Sequence, residues 1–385
     1  MSLRKILMAA KNAFLLGVLV SFALAAGSAR LSAQTNSSSG LTGNVYVMTN
    51  QTSGNSIMAF NRASNGALHL VGTFATGGSG FGSGDDPLGS QGSLVLSDDG
   101  HFVFAVDAGS DDIAVMQAGS MGLKSVGTFP SGGTEPVSLA LYKDLLYVLN
   151  AGGTPNITGF ELNPDGTLTM LPGSSRPLAG GTSAGPAQVS FSPDGSFLVV
   201  TEKGTNLIDT YHVMASGLTN GPISNTSNGA TPFGFAWGRG SALVVSEAGG
   251  GPNGTSAASS YRISTPSGDL VTVSASVGDT QMAACWAVAT NDGRFVYLSN
   301  SADGTLSSYH VGTGGQIELL DAASGTTGSG TVPIDMAITA NSEFLYALDD
   351  GTGMISAFWI GPDGSLTALS GAGGLPSGSQ GIAAR

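Results

Sequence analysis

A recurring hairpin constrains the fold of this chain more than any other feature of its sequence. Its clearest copy, residues 186–202, reads as a short apolar strand, a Pro193-Asp194-Gly195 turn and a second strand rich in β-branched residues. This arrangement is a β-hairpin signal. The pattern returns at residues 136–150, 232–247, 285–300 and 333–349, with a looser copy at 91–107. We therefore expect the chain to be built from one repeated unit.

Each hairpin is followed by two further short strands, so the unit contains four strands. The expected third strands cover residues 56–62, 112–117, 157–162, 207–213, 258–263, 305–311 and 354–360. Turn sequences such as Asn163-Pro164-Asp165-Gly166 then lead into the fourth strands. A repeat of about fifty residues with four short strands is the signature of a β-propeller blade.

The two ends of the chain are predicted to share one blade. Residues 44–50 match the second strand of the hairpin, but no first strand precedes them, whereas residues 379–384 fit the missing strand and place Ile382 at its centre. Pairing these segments closes the ring and removes an exposed sheet edge. The second strands are expected to end at Asn50, Asp107, Asn150, Glu202, Glu247, Asn300 and Asp349. We predict an all-β fold, a seven-bladed β-propeller over residues 43–385 with four antiparallel strands in each blade.

Residues 1–33 resemble a secretory signal peptide. Basic residues (Arg4, Lys5, Lys11) precede an apolar run at 13–26, which is short for a membrane span, and small residues allow cleavage after Ala29 or Ala33. The other interpretation is an uncleaved anchor helix. We expect a secreted or periplasmic protein with no membrane association after signal removal, and residues 34–42 as a polar leader.

Composition limits the partners. The net charge is −13, and the signal segment contains four basic residues and no acidic one, so its removal makes the protein still more acidic. Such a surface repels nucleic acid, and an anionic ligand would need a local positive site. The single cysteine, Cys285, excludes an internal disulfide and a multi-thiolate metal site. Gly-rich stretches at 77–84 and 249–254 lack the context of a phosphate-binding loop, so we predict no cofactor, and we expect a monomer.

The repeat resembles the lactonase family of seven-bladed β-propellers, which includes 6-phosphogluconolactonase-type and carboxymuconate-cyclase-type proteins. The resemblance is carried by the Ser192-Pro193-Asp194-Gly195 turn, the strand Leu146-Tyr147-Val148-Leu149-Asn150 and trailing segments such as Asp165-Gly166-Thr167-Leu168, and it covers about residues 43–384. It implies that the protein, if active, is a lactonase-like hydrolase or a cycloisomerase that acts on a sugar lactone or a related organic acid at the channel mouth.

The family pattern also suggests candidate site residues. In these enzymes one first strand begins Pro-Arg-His and the following second strand ends Asn-Glu; the matching positions here are Pro186-Ala187-Gln188 and Thr201-Glu202. The resemblance implies Glu202 as a base, while Ala187 and Gln188 stand at the family's Arg and His positions. In a propeller the loop before blade 4 and the end of its second strand reach the mouth, so we expect Arg176 or Lys203 as a cation and Gln188 as a hydrogen-bond donor. The alternative interpretation is that these residues have no catalytic role: Glu202 ends a strand and Lys203 is a solvated turn residue.

Two alternatives remain open at this point. The carboxylates at strand ends (Asp107, Glu202, Glu247, Asp349), with Asp335 just inside the channel, could hold a hard cation such as calcium. No tight Asp-x-Asp loop accompanies them, so we interpret them as turn residues and predict no metal site. The second alternative is a non-catalytic propeller, without the family's Arg-His pair, that binds a lactone-like or carbohydrate-like ligand or another protein.

Overall fold

Seven four-stranded antiparallel sheets form the molecule, as expected. The computed structural model describes residues 41–82 and 84–385, and the predicted signal segment lies outside them. Blades 1–3 contain β1 (Leu41–Met48), β2 (Ser56–Ala63), β3 (Leu68–Ala75); β4 (Leu94–Leu96), β5 (Phe102–Asp107), β6 (Asp112–Gly119), β7 (Gly122–Pro130); and β8 (Pro136–Tyr142), β9 (Leu145–Asn150), β10 (Asn156–Leu162), β11 (Leu168–Met170), with a short extra strand β12 (Arg176–Pro177).

The remaining blades follow the same order from first to fourth strand. Blades 4–7 contain β13 (Pro186–Phe191), β14 (Phe197–Glu202), β15 (Leu207–Val213), β16 (Thr219–Thr226); β17 (Pro232–Gly238), β18 (Ala242–Glu247), β19 (Ala257–Ile263), β20 (Leu270–Gly278); β21 (Ala284–Ala289), β22 (Phe295–Asn300), β23 (Thr305–Val311), β24 (Ile317–Thr326); and β25 (Pro333–Ile338), β26 (Phe344–Asp349), β27 (Met354–Ile360), β28 (Leu366–Gly373). Within the described residues, no helix is long and apolar enough to cross a membrane.

The ring closes as predicted. The last strand, β29 (Ile382–Ala384), pairs antiparallel with β1, and Ile382 lies opposite Val47. Blade 1 therefore takes its first strand from the C-terminal end of the chain and its other three from residues 41–75. β1 begins at Leu41, so two residues of the expected leader belong to this blade, and residues 34–40 lie outside the described part of the chain.

The second strands are buried because each lies inside its sheet and its side chains pack against the neighbouring blades. All six residues of β5, β14, β18, β22 and β26 are buried. Tyrosines in these strands also tie one blade to the next. The hydroxyls of Tyr147, Tyr297 and Tyr346 donate to the carbonyls of Gly217, Gly364 and Gly66, each in the outer turn of the following blade, at 2.8–2.9 Å.

Bulges near the start of the first strands are a feature that the hairpin pattern did not predict. In blades 3 to 7 the pairing of first and second strands shifts register within the first few residues, as between Pro186 and Gln188. The residue directly before each of these strands has a positive φ: Glu135, Gly185, Thr231, Ala283 and Val332. A bulge bends the strand and re-aims its side chains. The face where second strands end, here called the channel mouth, is therefore built from irregular backbone.

Candidate functional site

A loop segment fills the channel mouth. The connection between β3 and β4 carries residues 86–91, here called the mouth segment, across the ring axis. Asp86, Leu88, Ser90 and Gln91 in it are all buried. In the Gly-rich stretch that precedes the mouth segment, Gly78 packs against Asp107 and Gly80 against the backbone of Asn50.

Residues of four blades hold the mouth segment. Gln380 of blade 1 accepts a bond from the Leu88 amide at 2.9 Å and donates to the Asp86 carboxylate at 2.7 Å. Ser90 donates to the Val137 carbonyl of blade 3 at 2.8 Å, and its own carbonyl accepts a bond from Trp286 Nε1 of blade 6 at 2.9 Å. The Gln91 side chain pairs with the backbone of Ala287 in both directions. Blade 4 contributes the Ala187 carbonyl, which accepts a bond from the Gln91 amide at 2.9 Å, and Lys203.

Lys203 is the cation at the channel mouth. Its Nζ donates to the carbonyls of Gly89 in the mouth segment and, at 3.1 Å, of Pro186, and it lies 5.0 Å from the centre of the Phe233 ring. An ammonium group has three donors, and these two bonds leave the third without an acceptor within the described residues. Burial lowers the pKa of Lys203, while the charges of Asp86 and Glu135 act in the opposite direction.

Two carboxylates accompany Lys203 that sequence analysis did not select. Burial raises the pKa of Asp86 to about 6, against the opposing effects of Lys203 and Gln380. Burial also raises the pKa of Glu135, which Lys203 lowers and Asp111 raises. Asp86 is buried, whereas Glu135 is partly exposed and its carboxylate makes no hydrogen bond within the described residues. Of the two carboxylates whose charge acts on Lys203, Glu135 is therefore the one that water can reach.

A sequence signal for Glu135 existed. It directly precedes Pro136, at the position that Gly185, Thr231, Ala283 and Val332 occupy in the following blades. Of these five positions at the mouth, Glu135 is the ionisable one. The role of Asp86 could not be recognised in the same way, because it lies in a connection that has no counterpart in the other repeats.

The structure does not bring the Glu202 carboxylate to Lys203. The Gly180 amide donates to both oxygens of the Glu202 carboxylate at 3.1 Å, and the Thr205 hydroxyl donates to one of them. This carboxylate also lies against Asp209, whose pKa is raised to about 7 by burial and by the nearby Glu202. Glu202 is fully buried here, and its role as a base stays a prediction.

The other two predicted site residues also have structural partners. Gln188 accepts a bond from the Phe235 amide at 2.6 Å and donates to the Phe235 carbonyl at 3.2 Å, which links the first strands of blades 4 and 5. Arg176 lies in β12 at the outer side of blade 3, and its guanidinium donates to the carbonyls of Gly173, Ser175 and Thr219 at 2.8–2.9 Å. The structure therefore does not gather Arg176 with Lys203.

The residues that end the second strands bond within their own blades and to the loops beside them. Asp107 accepts bonds from Asn55 and Thr76, Glu247 from Gly229 and Ser276, and Asp349 from Ser356. Among the described residues, no group of three or more His, Cys, Asp or Glu side chains is arranged to hold a metal ion. Cys285 is fully buried, and burial raises its thiol pKa.

Comparison with known proteins agrees with this architecture. The family model described as "Lactonase, 7-bladed beta-propeller" matches residues 95–288 and 270–379. No curated protein matches the chain.

Solved structures show the same fold at low sequence identity. A Lactobacillus plantarum protein is 18% identical with a TM-score of 0.70, over 89% of this chain and 99% of its own. A protein titled as a candidate 6-phosphogluconolactonase of Bacteroides fragilis is 18% identical with a TM-score of 0.68, over 92% of this chain and 100% of its own. The periplasmic gluconolactonase of Pseudomonas aeruginosa is 17% identical with a TM-score of 0.67, over 88% and 98%.

Proposed function

Because this chain belongs to the lactonase family of seven-bladed β-propellers, we propose that it opens the ring of a lactone at its channel mouth. In this reaction water adds to the lactone carbonyl carbon, the ring C–O bond breaks, and a hydroxy acid is released. The reaction requires a base to take a proton from water and a donor for the negative charge that develops on the carbonyl oxygen.

The observations that carry the proposal are the place of Lys203 at the channel mouth, where its Nζ bonds to the mouth segment, and the partly exposed Glu135 carboxylate, whose charge acts on Lys203. The third Nζ–H of Lys203 can donate to the developing oxyanion, because its other two donors are held by the Gly89 and Pro186 carbonyls. The free Glu135 carboxylate can take the proton of the attacking water and return it to the ring oxygen as the C–O bond breaks. Asp86 holds the positive charge of Lys203 at this point.

A sugar lactone is the substrate class that we propose. Two structural relatives carry names that refer to gluconolactone hydrolysis or 6-phosphogluconolactone hydrolysis. A neutral sugar lactone also suits a protein with a net charge of −13, because it does not have to overcome electrostatic repulsion on approach. The related isomerisation of an organic acid would use the same Lys203 and Glu135 groups.

We further propose that the protein acts outside the cytoplasm, after removal of residues 1–33. N-terminal sequencing of the protein recovered from the periplasm or medium of an expressing bacterium tests this. Recovery of a mature chain that begins at Arg30 or Gln34 supports export. Recovery of the full-length chain from the cytoplasm alone contradicts it.

Replacing Lys203 by Met is expected to lower kcat/KM for lactone opening by about 100-fold, because loss of one oxyanion donor typically has this effect. The measurement is proton release on a panel of five- and six-membered sugar lactones. Lys124→Met is the matched control, since Lys124 is an exposed lysine in the outer strand β7. Equal rates for Lys203→Met and wild type on a hydrolysed lactone would exclude this site.

The pH dependence of the reaction identifies the base. If Glu135 is the base, kcat/KM rises as the pH passes through its raised pKa and becomes constant above it, because the ionised form is active. Glu135→Gln is expected to remove this acidic limb and lower the rate, while Glu202→Gln leaves the limb in place. If Glu202→Gln removes the acidic limb and Glu135→Gln keeps it, Glu202 is the base.

Ligand binding without turnover is the second candidate function. It is favoured by the mouth segment, which occupies the channel mouth, and by Gln188, which stands at the family's His position and bonds to Phe235. No turnover on the whole panel, together with a rise in Tm on addition of a lactone, would support binding over catalysis.

A further inference from the structure

A cavity lies on the face opposite the channel mouth. It has a volume of about 500 Å³ and is formed by the turns between first and second strands of blades 4, 5 and 6. Pro193, Ala236, Trp237, Arg239 and Asn291 are among the residues that line it. Trp237 also lines a smaller adjoining cavity of about 160 Å³. We call the larger space the Trp237 cavity.

Trp237 departs from the repeat. It pairs with Leu243 near the end of the first strand of blade 5. The same position in the other six blades holds Leu96, Leu141, Phe191, Ala289, Ile338 and Ala384. Trp237 is partly exposed, and its indole N–H finds no acceptor within the described residues. Blade 5 therefore places the largest aromatic ring of this position against an open cavity.

The turn that follows Trp237 departs from the repeat as well. In blades 2, 4, 6 and 7 a Ser or Thr hydroxyl donates to an Asp or Asn side chain two residues later: Ser97 to Asp99, Ser192 to Asp194, Thr290 to Asp292 and Thr339 to Asn341, at 2.6–2.7 Å. Blade 5 has Gly238 and Gly240 at these two positions, with Arg239 between them. The turn has lost the acidic residue that three of the other turns carry, and it has gained a cation.

Arg239 is free to bind a ligand. Its side chain is exposed, and its guanidinium makes no hydrogen bond within the described residues. By contrast, the guanidinium groups of Arg176 and Arg262 donate to backbone carbonyls, and that of Arg294 pairs with Asp292. The Asp292 carboxylate beside the cavity is therefore already neutralised by Arg294, whereas Arg239 has no acidic partner in the part of the chain that the structure describes.

We propose that the Trp237 cavity binds a small organic carboxylate, with the carboxylate on Arg239 and the body of the ligand on the Trp237 ring. A guanidinium binds a carboxylate through two parallel hydrogen bonds, and an indole ring buries the apolar face of a ligand. In an acidic protein, a cation without a partner beside an aromatic wall is the local positive site that an anionic ligand requires. This binding is independent of the proposed reaction, since the two sites lie on opposite faces.

Calorimetric titration with gluconate tests the inference, with glucose as the neutral counterpart of similar size. Gluconate is expected to bind, glucose at least about 10-fold more weakly, and Arg239→Gln to weaken gluconate binding by at least about 10-fold, as loss of a charge-assisted contact implies. Trp237→Leu is expected to weaken it as well. Lys124→Gln removes the same charge from an outer strand and is expected to leave binding unchanged.

The same titration in the Lys203→Met variant separates this site from the channel mouth. Unchanged gluconate affinity in that variant supports the Trp237 cavity, whether or not the protein opens lactones. Three results would overturn the inference: no gluconate binding by the wild type, equal affinity of Arg239→Gln and wild type, or inorganic phosphate binding as tightly as gluconate. The last result would mean that the Trp237 wall contributes nothing.

Discussion

Replacing Ile382 by Asp is expected to lower the free energy of unfolding by at least about 4 kcal/mol, because it buries an unpaired carboxyl group in the strand that closes the ring. Ile382 is 4% exposed and pairs with Val47. Its removal also withdraws apolar surface from the core between blades 1 and 7. Denaturation in urea, followed by circular dichroism at a fixed pH, measures the change.

Ile382→Val is the control for this experiment. It keeps the β-branched side chain and is expected to cost about 1 kcal/mol. If the Asp variant unfolds at the same urea concentration as the Val variant, β29 does not hold the ring closed, and the pairing of the two chain ends has no energetic importance.

The second large effect is a loss of stability as the pH rises from about 5 to 8. Burial raises the pKa of Asp335 to about 8 and those of Asp209 and Asp349 to about 7, whereas aspartates of the unfolded chain titrate near 4. Between these values the folded protein binds more protons than the unfolded chain. The stability that these protonated carboxyl groups add to the folded protein is therefore fully present at about pH 4. It is lost as the pH rises to 7 and 8.

The variant Asp335→Asn measures the largest single contribution to this pH dependence of the free energy of unfolding. One group with a pKa of about 8 in the folded protein accounts for about 2 kcal/mol between pH 6 and 8, so the variant is expected to lose that part of the slope. Glu318→Gln, an exposed residue of β24, is the control and is expected to keep the full slope. Unfolding energies that rise with pH in the wild type would show that these aspartates are ionised in the fold.

The fold could be read from the sequence because each blade repeats the same local signals. The turn Ser192-Pro193-Asp194-Gly195 and the strand that ends at Glu202 specify a hairpin without information from the rest of the chain. Ring closure followed from one physical requirement, a partner for β1, and the pairing of Ile382 with Val47 confirms it. Repetition also fixed the positions of most third strands to within a residue or two.

The site could be predicted much less well, because it is formed where the repeats differ. The mouth segment has no counterpart in the other blades. Comparison of the repeats therefore could not predict that Ser90 and Gln91 contact blades 3 and 6. The family pattern predicted Glu202 as a site residue. Its carboxylate instead accepts hydrogen bonds from Gly180 and Thr205, which lie in neighbouring loops that the repeat does not describe. Lys203 lies at the channel mouth, and its role as a cation in the reaction stays a prediction.

The two faces of the ring illustrate how a repeat protein acquires separate sites. At the mouth, Glu135 stands at a position where other blades have small or apolar residues. On the opposite face, Trp237 and Arg239 replace an apolar residue and an ordinary Asp-containing turn. In both places the common backbone is kept, and the chemistry comes from residues that depart from the pattern of the other blades.

The most direct test of lactone opening at the channel mouth is a crystal structure with a lactam analogue of a lactone that the protein hydrolyses. The proposal predicts the lactam carbonyl oxygen within hydrogen-bond distance of Lys203 Nζ, with Glu135 facing the carbonyl carbon. An analogue that leaves Lys203 bonded as it is now and binds elsewhere, such as in the Trp237 cavity, would contradict it.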